Sequence, residues 1–361
     1  MTQEEPGFIR LPNMSRNAVP VRVGVLLPFS NGSAATRALA ASMLKAAELA
    51  IFDANNPNIL LITADEGSTP ETAASGARAL LAQGAEIIVG PLFSASVVAV
   101  APITRDRGVP LIAFSSDRKV AGNGVYLLSF QPENEVKRIV SYAASQGHVR
   151  FAALVPRNAY GDHVLQAFRD DVAAAGAQVA DVERYDPATG NVTEPARAIA
   201  QANPDTVLVA QGGSLLKQMA PTLTYDGIDS SKIKLLGTGV WDDASIQREP
   251  VLEGGWFPAP MPDNDNAFNA KYRAAYGANA PQLATLSYDA ISLAALLASG
   301  EPYHRFTPAA LADPNGFAGV NGIFRFNPDG TSERGLAVLS VEPGGFVVVS
   351  PAPTTFQPQG S

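Results

Sequence analysis

The chain has 361 residues, of which 46% are hydrophobic and 17% charged, and its formal net charge is −8. This length exceeds what one hydrophobic core usually covers, so it predicts two domains, and the composition excludes an intrinsically disordered chain. The net negative charge argues against a broad nucleic-acid-binding surface. The absence of cysteine excludes disulfides, thiolate metal sites and cysteine nucleophiles.

The first twenty residues show no apolar periodicity, and we expect an irregular N-terminal arm over residues 1–20. No signal peptide is visible. The polar stretch Thr2–Pro6 indicates that the sequence starts behind a removed leader peptide, and a lipidated cysteine would have been removed with that leader. A cytoplasmic protein would begin in the same way. The longest apolar run, Ala284–Ala298, is interrupted by polar residues, so we predict no membrane span.

From Val21 onward, short apolar runs alternate with segments of helical spacing. Val21–Pro28 predicts a strand buried on both faces, and Thr36–Ala54 predicts a helix with its apolar residues on one side. The same alternation predicts strands over 58–64, 86–90, 109–115 and 125–130, and helices over 70–83 and 94–107. Such a pattern indicates a parallel sheet with helices on both faces, where ligands bind beyond the carboxyl ends of the strands.

A second round of the same alternation begins near residue 133. It predicts helices over 133–146, 162–175, 194–202 and 215–223, and strands over 150–155, 178–185, 205–210 and 234–237. Glycine and proline cluster at Gly254–Pro262, which indicates a crossing between domains. Beyond it we predict helices over 267–276 and 282–298, and β-structure over 322–326, 336–341 and 345–349.

These patterns predict how the chain divides into lobes. The first boundary lies near Gln131–Pro132, where the second round of alternation starts. We expect one lobe from residues 21–131 and about 260–330, and a second lobe from residues 132–259 and about 331–350. Residues 351–361 are expected to form a C-terminal tail.

Several short motifs occur in a fixed order along residues 21–350. They are Val23–Pro28, Gly90–Ser94, Ala101–Ile103, Gly108–Ile112, Asn158–Asp162, Tyr288–Ala290, Phe317–Gly322 and Phe326–Gly330. The ordered set resembles the type I periplasmic binding proteins, in particular their branched-chain amino-acid-binding branch. It is also similar to the C-terminal domain of lipoprotein activators of penicillin-binding proteins. The resemblance implies an α/β fold of two Rossmann-like lobes with parallel sheets, joined by a three-crossover hinge that closes around a ligand.

Four candidate ligand-binding residues fall in the first lobe. Ser94 stands directly before helical spacing, and we expect it to be an N-cap that presents its hydroxyl and the free helix amides to a carboxylate. A plain capping role is the alternative. Ser115, Ser116 and Asp117 follow a predicted strand, and the resemblance implies ligand contacts there. Asp117 either pairs with a ligand ammonium or caps a turn.

Four more candidates fall in the second lobe. The resemblance implies that Tyr160, an aromatic residue in a helix-opening loop, stacks on the ligand, and the alternative is a surface tyrosine. The resemblance also implies that Ser214 lies in a loop that contacts the ligand. The amino-acid-binding branch often has an acidic residue near Gly239 that takes the ligand ammonium. This chain has none at that position, and Trp241 and Asp242 stand close enough to substitute. The absence of this acidic residue argues against an amino-acid pocket like that of the amino-acid-binding branch.

The sequence contains little evidence of catalytic or metal-binding residues. Ser214–Lys217 has the S-x-x-K spacing of acyl-enzyme sites, but Ser42–Lys45 matches equally and neither has the accompanying motifs. The three histidines lack metal-ligand spacing. We therefore expect a protein that is not an enzyme and has no metal or cofactor.

The sequence leads to two hypotheses of function. The first is an extracytoplasmic or periplasmic solute-binding protein that captures an amino acid or a small carboxylate between two lobes, with an ABC permease as its partner. The second is an envelope lipoprotein-type activator that works through contacts with a penicillin-binding protein. Neither hypothesis includes a nucleic-acid partner.

Overall fold

A computed structural model describes residues 19–301 and 304–356, with only the backbone of residues 264 and 265. The predicted N-terminal arm therefore lies outside the described residues except for its last two positions, as do residues 357–361 of the predicted tail. Among the described residues, we find no helix with the length and apolar character needed to cross a membrane.

The first part of the chain alternates strand and helix as predicted. Its elements are β1 (Val21–Leu27), α1 (Ala34–Ala54), β2 (Ile59–Asp65), α2 (Pro70–Ala82), β3 (Ile87–Val89), α3 (Ser94–Arg105), β4 (Leu111–Ala113) and β5 (Val125–Leu127). A short 3₁₀ turn, Arg118–Val120, lies between β4 and β5. The helix starts are defined by side chains: Ser33 caps α1, and Thr69 caps α2 ahead of its first residue, Pro70.

The alternation continues through the second part of the chain. Its elements are α4 (Pro132–Ser145), β6 (Arg150–Pro156), α5 (Ala159–Ala174), β7 (Gln178–Tyr185), α6 (Thr193–Gln201), β8 (Thr206–Val209), α7 (Gly213–Tyr225), β9 (Lys234–Leu236) and β10 (Trp256–Ala259). Three 3₁₀ turns, Gly239–Trp241, Ala244–Arg248 and Pro250–Leu252, separate β9 from β10.

The last part of the chain begins with helices and ends with strands. Its elements are α8 (Pro262–Tyr276), α9 (Ala284–Leu297), α10 (Pro308–Leu311), β11 (Phe324–Phe326), β12 (Ser332–Arg334), β13 (Ala337–Glu342) and β14 (Gly345–Ser350).

The chain divides into two compact units. Among the described residues, unit 1 contains everything up to Phe130, Pro262–Arg334 and the residues from Thr354 onward, and unit 2 contains Gln131–Met261 and Gly335–Pro353. The chain thus passes between the units three times before residue 336, and a fourth passage follows at residues 353–354.

Each unit is built on its own sheet. The five strands of unit 1 lie in the order β2-β1-β3-β4-β5, and all neighbouring pairs are parallel. The seven strands of unit 2 lie in the order β14-β13-β10-β9-β8-β6-β7; β6 to β10 pair in parallel, whereas β13 and β14 join antiparallel. The α/β fold class with two parallel sheets is confirmed.

Both sheets are covered by helices on their two faces, so each unit has two cores. In unit 1, Val23 and Val25 of β1 face α1 and α9, while Leu26 faces α2 and α3. In unit 2, α4 and α5 pack on one face and α6 and α7 on the other. Because helices cover both faces of each sheet, the polar groups of the sheet are accessible to a ligand at the strand ends.

Candidate functional site

The turn between β3 and α3 delivers Ser94 to the carboxyl end of unit 1's sheet. The structure makes Ser94 the first helical residue, with Phe93 in the N-cap position and no side-chain cap. The prediction of Ser94 as N-cap is therefore wrong by one residue: the helix begins at Ser94 itself, and Phe93 takes the N-cap position. Ser94 is partly exposed, and within the described ranges its amide and hydroxyl make no hydrogen bond to protein.

A buried carboxylate that the sequence analysis did not single out holds this turn. Glu66, directly after β2, is 0% exposed. Its two oxygens accept the N–H groups of Leu92 at 2.8 Å and Phe93 at 3.0 Å, and Ser96 adds a side-chain hydrogen bond. Desolvation raises the pKa of Glu66 above its usual range, although these hydrogen bonds favour the charged form. Glu66 is thus a positioning residue for the segment that leads into Ser94.

Ser115, Ser116 and Asp117 form a tight turn after β4. Ser115 is buried, and its Oγ accepts the N–H of Asp117 at 3.1 Å. Oδ1 of Asp117 accepts the N–H of Lys119 at 3.1 Å and so caps the 3₁₀ turn. Of the two interpretations of Asp117, the turn cap is the one observed. Ser116 is exposed.

Tyr160 ties α5 to the segment that follows β9 in unit 2. Asn158 caps α5 by accepting the N–H of Gly161 at 2.9 Å, which places Tyr160 in the first turn of the helix. The Tyr160 hydroxyl lies 2.6 Å from Oγ1 of Thr238, which is fully buried. Desolvation raises the pKa of the Tyr160 phenol, so the hydroxyl stays neutral. Tyr160 is therefore a partly buried, hydrogen-bonded residue, and its contact with a ligand stays a prediction.

Replacing Tyr160 by Phe is expected to lower the free energy of unfolding of unit 2 by about 1–2 kcal/mol, because the buried Thr238 hydroxyl loses its partner. In the double variant with Thr238→Val the two losses should not add, since both remove the same bond. Urea denaturation followed by tryptophan fluorescence measures this, because Trp241 and Trp256 both lie in unit 2. Fully additive losses would show that the two hydroxyls are not coupled.

A carboxylate from α4 occupies the space beside Gly239. Oε2 of Glu135 accepts the N–H of Gly239 at 2.9 Å. A Cβ atom on Gly239 would come within 2.6 Å of Oε1 of Glu135, so a side chain at position 239 would require the Glu135 carboxylate to move. Desolvation, followed by the negative charge of Glu133, raises the pKa of Glu135 to about 7. An acidic side chain therefore lies beside Gly239, although it comes from α4, 104 residues earlier in the sequence.

Trp241 lies in the core of unit 2 and not at its surface. The side chain is 0% exposed, and its Nε1–H donates to the carbonyl oxygen of Gln211 at 2.9 Å. The absence of side chains at Gly237 and Gly255 makes room for the ring. The expectation that Trp241 contacts a ligand is corrected, because a large apolar ring gains more from burial than from an exposed loop position.

The remaining candidates all follow parallel strands at the carboxyl edge of one of the two sheets. In unit 1, Ser94 follows β3, and the Ser115–Asp117 turn follows the neighbouring strand β4. In unit 2, Tyr160, Ser214 and Gly239 follow β6, β8 and β9, three adjacent strands. Ser214 is exposed in the first turn of α7, which begins at Gly213 behind Gly212 as N-cap.

The chain is similar in sequence to a penicillin-binding protein activator and similar in fold to ABC transporter proteins. Over 104 residues, 28% of this chain, the sequence is 29% identical to the penicillin-binding protein activator LpoA of Vibrio cholerae, but the match spans only 17% of that protein. A putative branched-chain amino acid ABC transporter structure from Rhodospirillum rubrum superposes with a TM-score of 0.80 at 20% identity, covering 92% of this chain and all of that one. An ABC transporter solute-binding protein from R. palustris in complex with benzoate gives a TM-score of 0.61 at 19% identity, covering 92% and 97%.

The two structural likenesses establish a shared fold. The sequence evidence is more extensive, because the family model described as periplasmic binding protein matches residues 20–345, nearly the whole described chain. The chain therefore belongs to the periplasmic binding protein family.

Proposed function

We propose that this chain is an extracytoplasmic solute-binding protein that captures a small polar ligand and delivers it to an ABC permease. In each unit, taken by itself, the candidate contact groups lie at the carboxyl edge of the sheet. Binding, without catalysis, is the role that membership of the family supports. An extracytoplasmic location also follows from membership, and we propose the periplasm as the compartment.

One observation carries the proposal: the polar candidates of each unit stand where parallel strands end. Ser94 and Ser115 do so in unit 1, and Tyr160, Ser214 and Gly239 in unit 2. Open parallel sheets bind ligands at this edge, because the strand ends and the helix starts expose backbone and side-chain hydrogen-bonding groups together. The relative bound to benzoate and the putative branched-chain amino acid transporter support a ligand with a carboxylate.

The proposed carboxylate contact in unit 1 is Ser94. Its amide and hydroxyl point from the first turn of α3 and have no partner within the described ranges, so they are available to an anion. Ser115 and Ser116 from the next strand end are the proposed neighbouring contacts, whereas the carboxylate of Asp117 is already engaged as a turn cap.

Ser94→Ala is expected to weaken binding of a carboxylate ligand by about tenfold, because it removes one hydrogen bond to a charged group. The parent protein is first screened by thermal shift against amino acids, benzoates and aliphatic carboxylates, and the hits are titrated by calorimetry. Ser42→Ala on α1 is the matched control, because its hydroxyl only donates to the carbonyl of Ala38 on the same helix. Equal affinities for parent and Ser94→Ala would remove Ser94 from the site. A screen with no hit of any class would contradict the solute-binding function.

A second candidate function rests on the similarity to LpoA, which covers 28% of the chain. On this alternative the chain contacts a penicillin-binding protein and stimulates it. Biolayer interferometry against an immobilised bifunctional penicillin-binding protein, together with an assay of its peptidoglycan polymerisation, tests this directly. Specific binding with stimulation, and no small-molecule hit in the screen, would favour the activator over the solute-binding protein.

A further inference from the structure

The sheet of unit 2 has two edge strands, and they differ in charge. β14 and β7 lie at opposite ends of the strand order. An edge strand leaves N–H and C=O groups free to pair with another chain, and charged side chains commonly prevent such pairing. β7 carries Asp181, Glu183 and Arg184, whereas β14, Gly345–Ser350, carries no charged residue. β14 is therefore the edge that lacks this protection.

The middle of β14 is exposed on both faces. Val347, Val348 and Val349 are 51%, 36% and 39% exposed. Successive side chains of a strand point to opposite faces, so three consecutive exposed valines mean that described residues cover neither face of the strand at this point. Valine forms strands readily, and its burial is favourable. Adjacent exposed apolar side chains of this kind are typical of an interaction surface.

Both ends of β14 are fixed. The ring of Phe346 packs edge-on against Phe257 of β10, with 4.8 Å between the ring centroids. At the other end, Nη2 of Arg138 donates to Oγ of Ser350 at 2.7 Å. A strand that is already held in this way loses little conformational freedom when it pairs, which favours association.

The main-chain groups on the outer side of β14 are available for pairing. A two-residue turn closes the hairpin and pairs Glu342 with Gly345, so the N–H and C=O groups of Phe346 and Val348 point away from β13. Within the described ranges these outer groups have no hydrogen-bond partner. The register shifts after Val348 and leaves Val349 as an extra residue, so the regular part of the edge ends at Val348.

We propose that β14 pairs antiparallel with β14 of a second copy of this chain and so forms a two-fold symmetric dimer. In this pairing the outer groups of Phe346 in one copy bond those of Val348 in the other, and Val347 lies opposite itself. A two-fold axis brings each strand against its own sequence, so any charge on it would meet a like charge. β14 meets no such repulsion because it has no charged residue. This association goes beyond solute binding and needs no ligand.

The short pairing limits the strength of the dimer. A few residues of one edge strand bury less than the roughly 1,000 Å² that a stable specific interface needs, so we expect a dissociation constant of about 10–100 μM. Sedimentation equilibrium of the full chain, over a concentration range that brackets this constant, measures it directly.

Val347→Lys is expected to raise the dissociation constant at least about tenfold, because two ammonium groups then face each other at the two-fold axis. Val179→Lys is the matched control, since Val179 is 41% exposed on β7 at the opposite edge of the same sheet. Val347→Thr keeps a β-branched, uncharged side chain and should dimerise within about threefold of the parent. Circular dichroism melting verifies that each variant is folded.

A mixing experiment tests the pairing of position 347 with itself. Val347→Glu should also be monomeric, because two carboxylates face each other at the axis. An equimolar mixture of Val347→Lys and Val347→Glu should recover a dimer that contains one copy of each, since opposite charges then meet. Two variants that stay monomeric when they are mixed would overturn this register.

Three other results would overturn the dimer itself. They are a parent chain that stays monomeric up to about ten times the expected dissociation constant, a dimer that Val347→Lys leaves unchanged, and association that continues past the dimer, since a two-fold pairing is closed. A monomeric parent would mean that the β14 edge takes a different chain or none. The proposed solute-binding function stands after each of these results, because none of the measurements contains a ligand.

Discussion

Gly161→Ala is expected to destabilise unit 2 by about 3 kcal/mol, near the upper end of what a single added methyl group costs. A Cβ atom at this position would lie 1.9 Å from the carbonyl oxygen of Pro156. Both partners are backbone, since Pro156 ends β6 and Gly161 lies in the first turn of α5, so no side chain can move aside. The substitution must therefore separate the helix start from the strand end, and Tyr160 from Thr238.

Urea denaturation followed by tryptophan fluorescence measures this loss, because both tryptophans report on unit 2. Gly345→Ala is the matched control in the same unit, since a Cβ atom at Gly345 meets nothing within 4 Å. The control should stay within about 0.5 kcal/mol of the parent. A Gly161→Ala variant as stable as this control would show that the approach of α5 to β6 is looser than the structure indicates.

Asp289→Ala is expected to cost unit 1 about 3–5 kcal/mol, because it leaves a buried guanidinium without its partner. Asp289 is 1% exposed and Arg334 is 7% exposed, and Nη1 of Arg334 lies 3.4 Å from Oδ2 of Asp289. The other carboxylate oxygen accepts the N–H of Val320 at 2.7 Å, and this buried amide is also left unpaired. Arginine remains charged at any pH a protein tolerates, so it cannot avoid the cost by losing its proton.

Arg334→Met should be milder, and its cost should depend on pH. Desolvation already raises the pKa of Asp289 to about 6, and removing the arginine raises it further. A carboxyl group with a folded pKa above its unfolded value of 3.8 is tolerated while protonated, and the penalty grows as pH rises from the unfolded towards the folded pKa. The deficit of Arg334→Met relative to the parent should therefore be larger at pH 7 than at pH 4.5. The deficit of Asp289→Ala should be smaller at pH 7, because this variant lacks the carboxyl group whose ionisation costs the parent stability.

Circular dichroism during urea denaturation, with hydrogen exchange of the α9 amides to identify unit 1, measures both variants. Glu48→Ala on the exposed side of α1 controls for the removal of one acid from the same unit. Equal and pH-independent losses in the two variants would contradict the asymmetry between a carboxyl group that can neutralise and a guanidinium that cannot.

Elements with regular apolar spacing were predictable from the sequence. The predicted and observed bounds of β1, β7 and α2 agree within one residue. A strand that is buried along its whole length, such as β1, appears in the sequence as a continuous apolar run, and the one-sided burial of α2 appears as apolar residues at helical spacing. The fold class follows from the order of these elements, since alternating strands and helices can bury their apolar faces only in a parallel sheet covered on both sides.

Two strands were missed where this pattern is absent. β10 contains Pro258, and the surrounding glycines and prolines indicated only a crossing. The structure tolerates this proline because β10 pairs with β9 only at Trp256 and elsewhere depends on β13. β12, Ser332–Arg334, has no apolar residue and exists through its register with β11. β10 therefore depends on a strand that is distant in sequence, whereas β12 depends on β11, the strand directly before it in the chain.

The sequence by itself determined the fold class, the family and the strand ends where polar residues collect, because these depend on local spacing and on short motifs. Only the tertiary structure decided what each side chain does. It buried Trp241, used Asp117 as a cap, tied Tyr160 to Thr238, and brought Glu66 and Glu135 to positions that no local pattern marks. Solvation and charge at a strand end are set by whichever elements the fold packs around it, so the chemistry of the site is a tertiary property.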